Sequence, residues 1–148
     1  MERGEAQLNR FLVEVFHDVM RLEEQELLKG PFKNLSVSEM HVIEAACDGQ
    51  DKGSNSMAAL AARLRVSAGT LTIAVKTLEQ KGYLLRERSR SDRRRVLVTP
   101  TSLGHKAYEV HRQFHERLVG AVAGRLSPAG MDALADALST LHRFFDSL

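Results

Sequence analysis

The residues best suited to chemistry in this sequence are clustered arginines. Between Arg63 and Arg95, ten basic residues stand against three acidic ones, so this segment carries +7 although the whole chain carries only +2. A focused charge of this kind attracts polyanions, whereas the alternative interpretation is a solvated surface. Arginines in a hairpin can enter the narrow minor groove of DNA. The ones that we expect to do so are Arg88, at the end of a predicted strand, and Arg90, Arg93 and Arg94 in the loop after it. Asp92 lies among them and is predicted to order this loop through a charge-assisted bidentate pair with a neighbouring arginine.

A second set of candidate contacts lies on a helix predicted to begin at Ser67 and to end at Gly82. Its face opposite the apolar side chains carries small, hydroxylated or basic residues. These are Ser67, Gly69, Thr70, Thr72, Ile73 and Lys76. Hydroxyl groups can bond base edges, the methyl groups of Thr and Ile can contact thymine, and lysine can reach phosphate. We therefore expect this helix to read DNA, with an ordinary solvated face as the alternative.

A third set combines apolar bodies with polar groups, as a ligand pocket does. Its members are Phe16, Met40, His41, Tyr108, His111 and Phe114. The alternative is that these side chains form ordinary core. His111 and His115 are one helical turn apart, but no Cys or carboxylate cluster in the sequence completes a site, so we predict no metal.

Other function classes find little support. The chain has no Ser-His-Asp spacing, Gly-rich phosphate loop or metal motif, so we expect neither an enzyme nor a cofactor. The single cysteine, Cys47, is expected to be a small core residue rather than a redox sensor. No apolar run has the length of a bilayer span and the first residues do not form a secretory signal, which predicts a cytoplasmic protein without a membrane partner.

The spacing of apolar residues predicts the elements that position these groups. A long amphipathic helix covers about 5–29, and a capping box at Ser36 and Glu39 opens a second helix that ends near Cys47. Residues 48–55 should form an exposed, mobile loop. Two short helices, the first capped by Ser56, then meet at a tight turn at 65–66, which is typical of a helix-turn-helix.

After Gly82 the spacing of apolar residues changes from that of a helix to that of a strand. Residues 83–88 and 95–98 are predicted to form a hairpin around the arginine loop, as a wing. Thr101 then caps a helix to about Arg125, and Ser127-Pro128 starts the last one. The predicted fold is mainly α with a small β-hairpin: one chain, 1–148, with a winged helix-turn-helix at 36–100. The long helices at 1–30 and 101–148 have apolar faces too extensive for the middle to cover, so they are expected to form a homodimer.

At this point the motifs resemble a known family. Asp92-Arg93-Arg94 in the wing, followed by the stretch from Val98 to Gly104, is similar to the D-x-R-R…L-T-x-x-G pattern of the MarR family of winged-helix regulators. Within that family the chain resembles the FabT-type regulators of bacterial fatty-acid synthesis. The similar stretches are residues 32–41, 66–72, 78–83 and 111–115.

The resemblance implies a homodimer on a pseudo-palindromic operator in double-stranded DNA, and an acyl chain delivered on acyl carrier protein as effector. The function expected is therefore a sequence-specific transcriptional repressor of fatty-acid biosynthesis genes. Two alternatives stay open. One is a MarR-type repressor that responds to a small aromatic or other ligand, and the other is a winged-helix interaction protein without sequence specificity.

Overall fold

A computed structural model describes all residues from Met1 to Leu148. The chain is largely helical with one two-stranded hairpin. The helices are α1 (Arg3–Arg10), α2 (Phe16–Lys29), α3 (Val37–Lys52), α4 (Met57–Leu64), α5 (Ala68–Gln80), α6 (Ser102–Ala123) and α7 (Pro128–Asp146). The strands are β1 (Leu84–Arg88) and β2 (Val96–Pro100). The predicted fold class, a winged helix-turn-helix with long helices before and after it, is confirmed.

The first long helix is continuous but contains one irregular turn. A π-helical turn at Phe11–Val15 joins α1 to α2, and both junctions keep right-handed helical backbone. The predicted helix over 5–29 is therefore present. It ends where Gly30 adopts an extended conformation, next to Pro31, which cannot continue a helix.

The second helix starts as predicted but is longer. The capping box is formed, because Ser36 Oγ accepts from the Glu39 amide at 3.1 Å and Glu39 Oε1 accepts from the Ser36 amide at 2.9 Å. The prediction that the helix ends near Cys47 and that a loop follows at 48–55 is wrong, since α3 continues to Lys52. Tertiary packing explains the extension. Gly49 is buried, and a Cβ there would lie 2.7 Å from the Ser54 carbonyl oxygen, so the chain that leaves α3 folds back onto it. Gly53, with φ +69°, makes that reversal possible.

The helix-turn-helix follows directly. Ser56 Oγ caps α4 by accepting from the Ala59 amide at 3.1 Å. Arg65 adopts the left-handed conformation, with φ 55°, and turns the chain between α4 and α5 through 108°. No single helix is long and apolar enough to cross a bilayer; α4 and α5 reach the required length and composition only as this bent pair.

The hairpin and the helices share one core. The strands are antiparallel, with Leu84 opposite Pro100 and Arg88 opposite Val96. Asn55 joins α4 to β2, since its carbonyl accepts from the Val98 amide at 2.9 Å. The largest fully buried side chains come from α3, α4, α5 and both strands. They are Met40, Ile43, Leu60, Leu71, Leu78, Leu84, Val75 and Val98.

The chain divides into two compact units, Met1–His111 and Arg112–Leu148. The first holds the core and the winged helix. The second consists of the end of α6 and the whole of α7. Ser127 is the N-cap of α7, because its Oγ accepts from the Gly130 amide at 3.0 Å. No residue of α7 is buried.

Candidate nucleic-acid interface

The amino end of α5 presents small and hydroxylated side chains to solvent. Ser67 serves as the N-cap: its Oγ accepts from the Thr70 amide at 3.1 Å and donates to Thr70 Oγ1 at 2.9 Å. The hydroxyl hydrogen of Thr70 therefore points away from Ser67 and can reach an outside acceptor. Gly69, beside it, is exposed with no atom near the position of a Cβ. This end of the helix can approach another surface closely.

The next turn of α5 combines a polar and an apolar contact. Thr72 is half-buried and its Oγ1 donates to the Ala68 carbonyl at 2.8 Å, which holds the side chain in one rotamer. Ile73 is 70% exposed, while Leu71, on the opposite face, is 1% exposed. Lys76 is exposed one turn from Thr72. An isolated exposed apolar side chain beside hydroxyls and a lysine suits contact with base edges and a thymine methyl.

Helix α5 and the wing, which is the hairpin of β1 and β2 with its loop, border one groove. Its volume is about 410 Å³, and it lies between the first turns of α4 and α5 on one side and both strands of the hairpin on the other. The residues that line it are Ser56, Met57, Ala58, Ala68, Thr72, Arg86, Arg94, Arg95 and Val96. The structure thus brings Thr72 and Arg94 to the same concavity, from elements 22 residues apart in sequence. The remaining predicted residues of α5 do not line this groove.

The tip of the wing is a hydrogen-bonded turn around Asp92. Its Oδ1 accepts from the Arg94 amide at 3.1 Å and from Arg94 Nε at 3.3 Å, and its carbonyl accepts from the Arg95 amide at 3.0 Å. One carboxylate oxygen makes both side-chain bonds, so the pair is not the bidentate contact expected from the sequence. Because the Arg94 side chain is 93% exposed, the pair adds little stability. Its effect is to shape the turn and aim the guanidinium.

The other wing arginines differ in whether a hydrogen bond fixes the side chain. Arg88 Nη1 donates to the Arg93 carbonyl at 2.8 Å, so this side chain lies along the wing. Arg90 and Arg93 are exposed. The tip of the wing therefore displays several positive charges around a fixed backbone.

Two groove residues were missed by the sequence reasoning. Arg86 and Arg95 line the groove, but neither is among the four arginines that the sequence predicts to contact DNA. Arg86 Nε also lies 2.5 Å from Glu79 Oε1, which ties β1 to the end of α5. The signal was present in the alternation of a strand, because Arg86 and Arg88 are two residues apart and share a face.

The six predicted pocket residues lie in different surroundings. Met40 is core, at 1% exposure, and Phe16 is 62% exposed with its ring against His17. Phe114 belongs to the second unit, where its ring packs against His115. The remaining three lie in the first unit: the rings of His41 and His111 are 5.9 Å apart, and the Tyr108 hydroxyl donates to Asp48 Oδ1 at 2.9 Å.

Of these six, only His41 lines a cavity of about 240 Å³ between α3 and α5. The other residues around that cavity come from α3, from the end of α4, from the turn before α5 and from α5 itself. They are Ser38, Glu39, Val42, Leu64, Val66, Thr70, Leu71 and Ala74.

Cys47 and Tyr108, both in the first unit, have strongly raised pKa values. Burial, with smaller contributions from the carboxylates of Asp48, Asp51 and Glu44, raises the pKa of the Cys47 thiol to about 12. Burial and the hydrogen bond to Asp48 raise the pKa of Tyr108 to about 12. At neutral pH Cys47 is a thiol, which fits a core residue and not a reactive sensor.

The winged region matches a family model. Residues 50–96 match the MarR family, which covers α4, α5, β1 and the start of β2. No curated protein sequence matches the chain significantly.

Solved structures resemble the whole chain. The structure of Streptococcus pneumoniae FabT in complex with DNA is 29% identical, with a TM-score of 0.87, and the match covers 97% of this chain and 98% of that one. Staphylococcus aureus MepR bound to DNA is 16% identical, with a TM-score of 0.78 over 93% of this chain and 95% of that one. Staphylococcus aureus MarR with salicylate and kanamycin is 19% identical, with a TM-score of 0.78 over 97% and 93%. The chain therefore carries a MarR-family domain at residues 50–96 and has, over nearly its whole length, the fold of MarR-family regulators.

Proposed function

We propose that this chain is a sequence-specific DNA-binding transcriptional regulator that acts as a homodimeric repressor. The observation that carries the proposal is the groove between α5 and the wing, where Thr72 faces Arg86, Arg94 and Arg95. The concentration of positive charge at this one place favours a polyanion. The DNA complexes of the similar FabT and MepR structures support duplex DNA as that polyanion.

Helix α5 and the wing have different tasks. Thr70, Thr72 and Ile73 lie where α5 would enter a major groove, and their hydroxyl and methyl groups can distinguish base edges. Arg94 and the other wing arginines would contact phosphates or the adjacent minor groove, where attraction depends little on sequence. Substitution of the α5 residues should therefore reduce sequence specificity. Substitution of the wing arginines should reduce affinity for all DNA.

A second copy of the chain is proposed to cover the apolar faces of the long helices. Phe11, Leu12 and Phe16 on the first helix are each more than 40% exposed, and so are Leu138 and Phe144 on α7. Burial of apolar surface contributes about 25 cal/mol per Å², so leaving these faces in water is costly. Two recognition helices in a dimer would read half-sites about one helical turn of DNA apart.

The test compares operator and random DNA. Fluorescence anisotropy with the DNA upstream of the chain's own gene should give a Kd that rises steeply with salt, because each phosphate neutralised releases counterions. Thr72→Ala should weaken operator binding about 5- to 150-fold, the equivalent of about 1–3 kcal/mol, and affect random DNA less. Arg94→Ala should weaken both. Arg143→Ala on α7 removes the same charge outside the winged helix and should change neither.

Two results would count against the proposal. A salt slope near zero would exclude binding through phosphates. Equal losses for Thr72→Ala on operator and random DNA would mean that α5 does not read bases, and would favour an interaction protein without sequence specificity.

We further propose that the regulated genes belong to fatty-acid biosynthesis and that acyl carrier protein bearing a long acyl chain is the effector. The likeness to FabT over 97% of the chain supports this assignment. Buried methylenes contribute about 0.8 kcal/mol each, so a protein pocket can measure chain length as binding energy. Long-chain acyl carrier protein should change operator affinity several-fold, and Phe114→Ala should reduce that change. If every chain length leaves operator affinity unaltered, a small aromatic or other effector takes its place.

A further inference from the structure

Three helices bring titratable side chains together in the first unit. Glu23 from α2 and His111 from α6 are almost fully buried, at 5% and 6% exposure. His41 from α3 places Nε2 2.7 Å from Glu23 Oε2. A carboxylate oxygen of Glu23 and a ring nitrogen of His111 lie within 4.8 Å of one another, and the two imidazole rings are 5.9 Å apart between centroids. One carboxylate and two imidazoles, each from a different helix, thus lie close together.

A further carboxylate orients His111 from outside this group. Glu44 Oε2 lies 3.0 Å from His111 Nε2. Because Glu44 contacts this nitrogen, a metal would bind His111 through Nδ1. A carboxylate that fixes the tautomer of a buried imidazole is the usual outer-shell arrangement of histidine ligands in metal sites.

We propose that Glu23, His41 and His111 bind a divalent transition metal ion, Zn²⁺ by the chemistry of its donors, with the fourth position open to water or a further side chain. Zinc takes imidazole nitrogen and carboxylate oxygen in tetrahedral geometry at about 2.0–2.2 Å, which sets ligand atoms about 3.3 Å apart. Glu23 Oε2 and His41 Nε2, which are 2.7 Å apart, would separate by about 0.6 Å to reach that spacing.

The charges of the site suit a dication. The carboxylates of Glu23 and Glu44 lie beside the two imidazoles, and Glu23 is only 5% exposed. Uncompensated negative charge in a buried place is unfavourable. A metal ion of charge +2 offsets it. Histidine and carboxylate donors without thiolate favour zinc and its first-row neighbours over copper(I). His41, whose side chain is 34% exposed, offers the path of entry.

The experiment is a titration of ZnCl₂ into the full-length protein after dialysis against EDTA, followed by calorimetry. One Zn²⁺ per chain is expected, together with a rise in Tm. Glu23→Gln keeps the size of the side chain and should weaken binding at least tenfold, as should His41→Ala. Glu44→Gln, which removes the outer-shell charge, should weaken binding about 10-fold. His142→Ala is the matched control, because His142 also pairs with a carboxylate, Asp146, but is 78% exposed on α7.

Co²⁺ provides a readout that does not depend on stability. A four-coordinate site gives intense visible absorption, which should be present in the wild type and in His142→Ala and absent in Glu23→Gln and His41→Ala. Absence of zinc binding to the wild type would overturn the proposal. Glu23→Gln and His41→Ala that both bind as tightly as the wild type would do the same, and so would loss of binding in His142→Ala alone. Tighter binding of Mn²⁺ than of Zn²⁺ would overturn the choice of metal.

Discussion

Replacing Gly104 by alanine should force α6 away from the wing. A Cβ at this position would lie 2.3 Å from the Tyr83 carbonyl oxygen and 3.2 Å from Pro100 Cβ. The carbonyl is itself held, because it accepts from the Thr101 amide at 3.0 Å and from Thr101 Oγ1 at 3.2 Å. A contact with backbone cannot be relieved by a change of rotamer. The first turn of α6 must therefore move.

The size of the effect follows from the kind of contact. Overpacking costs about 1–3 kcal/mol where flexible side chains adjust, and a clash with a fixed carbonyl places Gly104→Ala near the upper end, at about 3 kcal/mol. For a chain of this length each 1 kcal/mol corresponds to a shift in Tm of roughly 2–4 °C. We expect Tm to fall by about 6–12 °C.

Gly120→Ala is the matched control, since it makes the same substitution in the same helix. Nothing lies within 4 Å of a Cβ at that position, so alanine should raise stability by about 0.5–1 kcal/mol through the lower conformational entropy of the unfolded chain. Urea denaturation followed by circular dichroism measures both variants. A Gly104→Ala protein as stable as the wild type would refute the packing described for this junction.

Two further predictions concern the buried thiol and the wing. Because burial raises the pKa of Cys47 to about 12, native protein at pH 8 should react with a thiol reagent at least about 100-fold more slowly than protein unfolded in urea; similar rates would contradict its burial. Asp92→Ala removes the acceptor of both Arg94 hydrogen bonds and should lower affinity for operator and random DNA alike, measured by anisotropy, while leaving the Tm nearly unchanged. A large loss of Tm would mean that the wing turn supports the core.

Local features of the sequence were enough for most of the fold. Ser36, Ser56 and Ser67 each cap the helix that they were expected to start, because a cap depends only on the residues within one turn. The change of period after Gly82, where φ is +87°, marks the end of α5 and the start of the hairpin. The positive face of the wing was also predictable, since charge is read directly from residue type.

Features that depend on contacts between distant segments were decided by the tertiary structure. The sequence around Gly49 predicted a loop, but close packing against Ser54 keeps it helical. The groove needs β2 beside the amino ends of α4 and α5, and that placement depends on the pairing of Asn55 with Val98, 43 residues away. His111 had no visible carboxylate partner in the sequence, yet folding brings Glu23 and Glu44 to it from two other helices. Helix periodicity shows which face of each segment is apolar, whereas only the packed structure determines which faces meet.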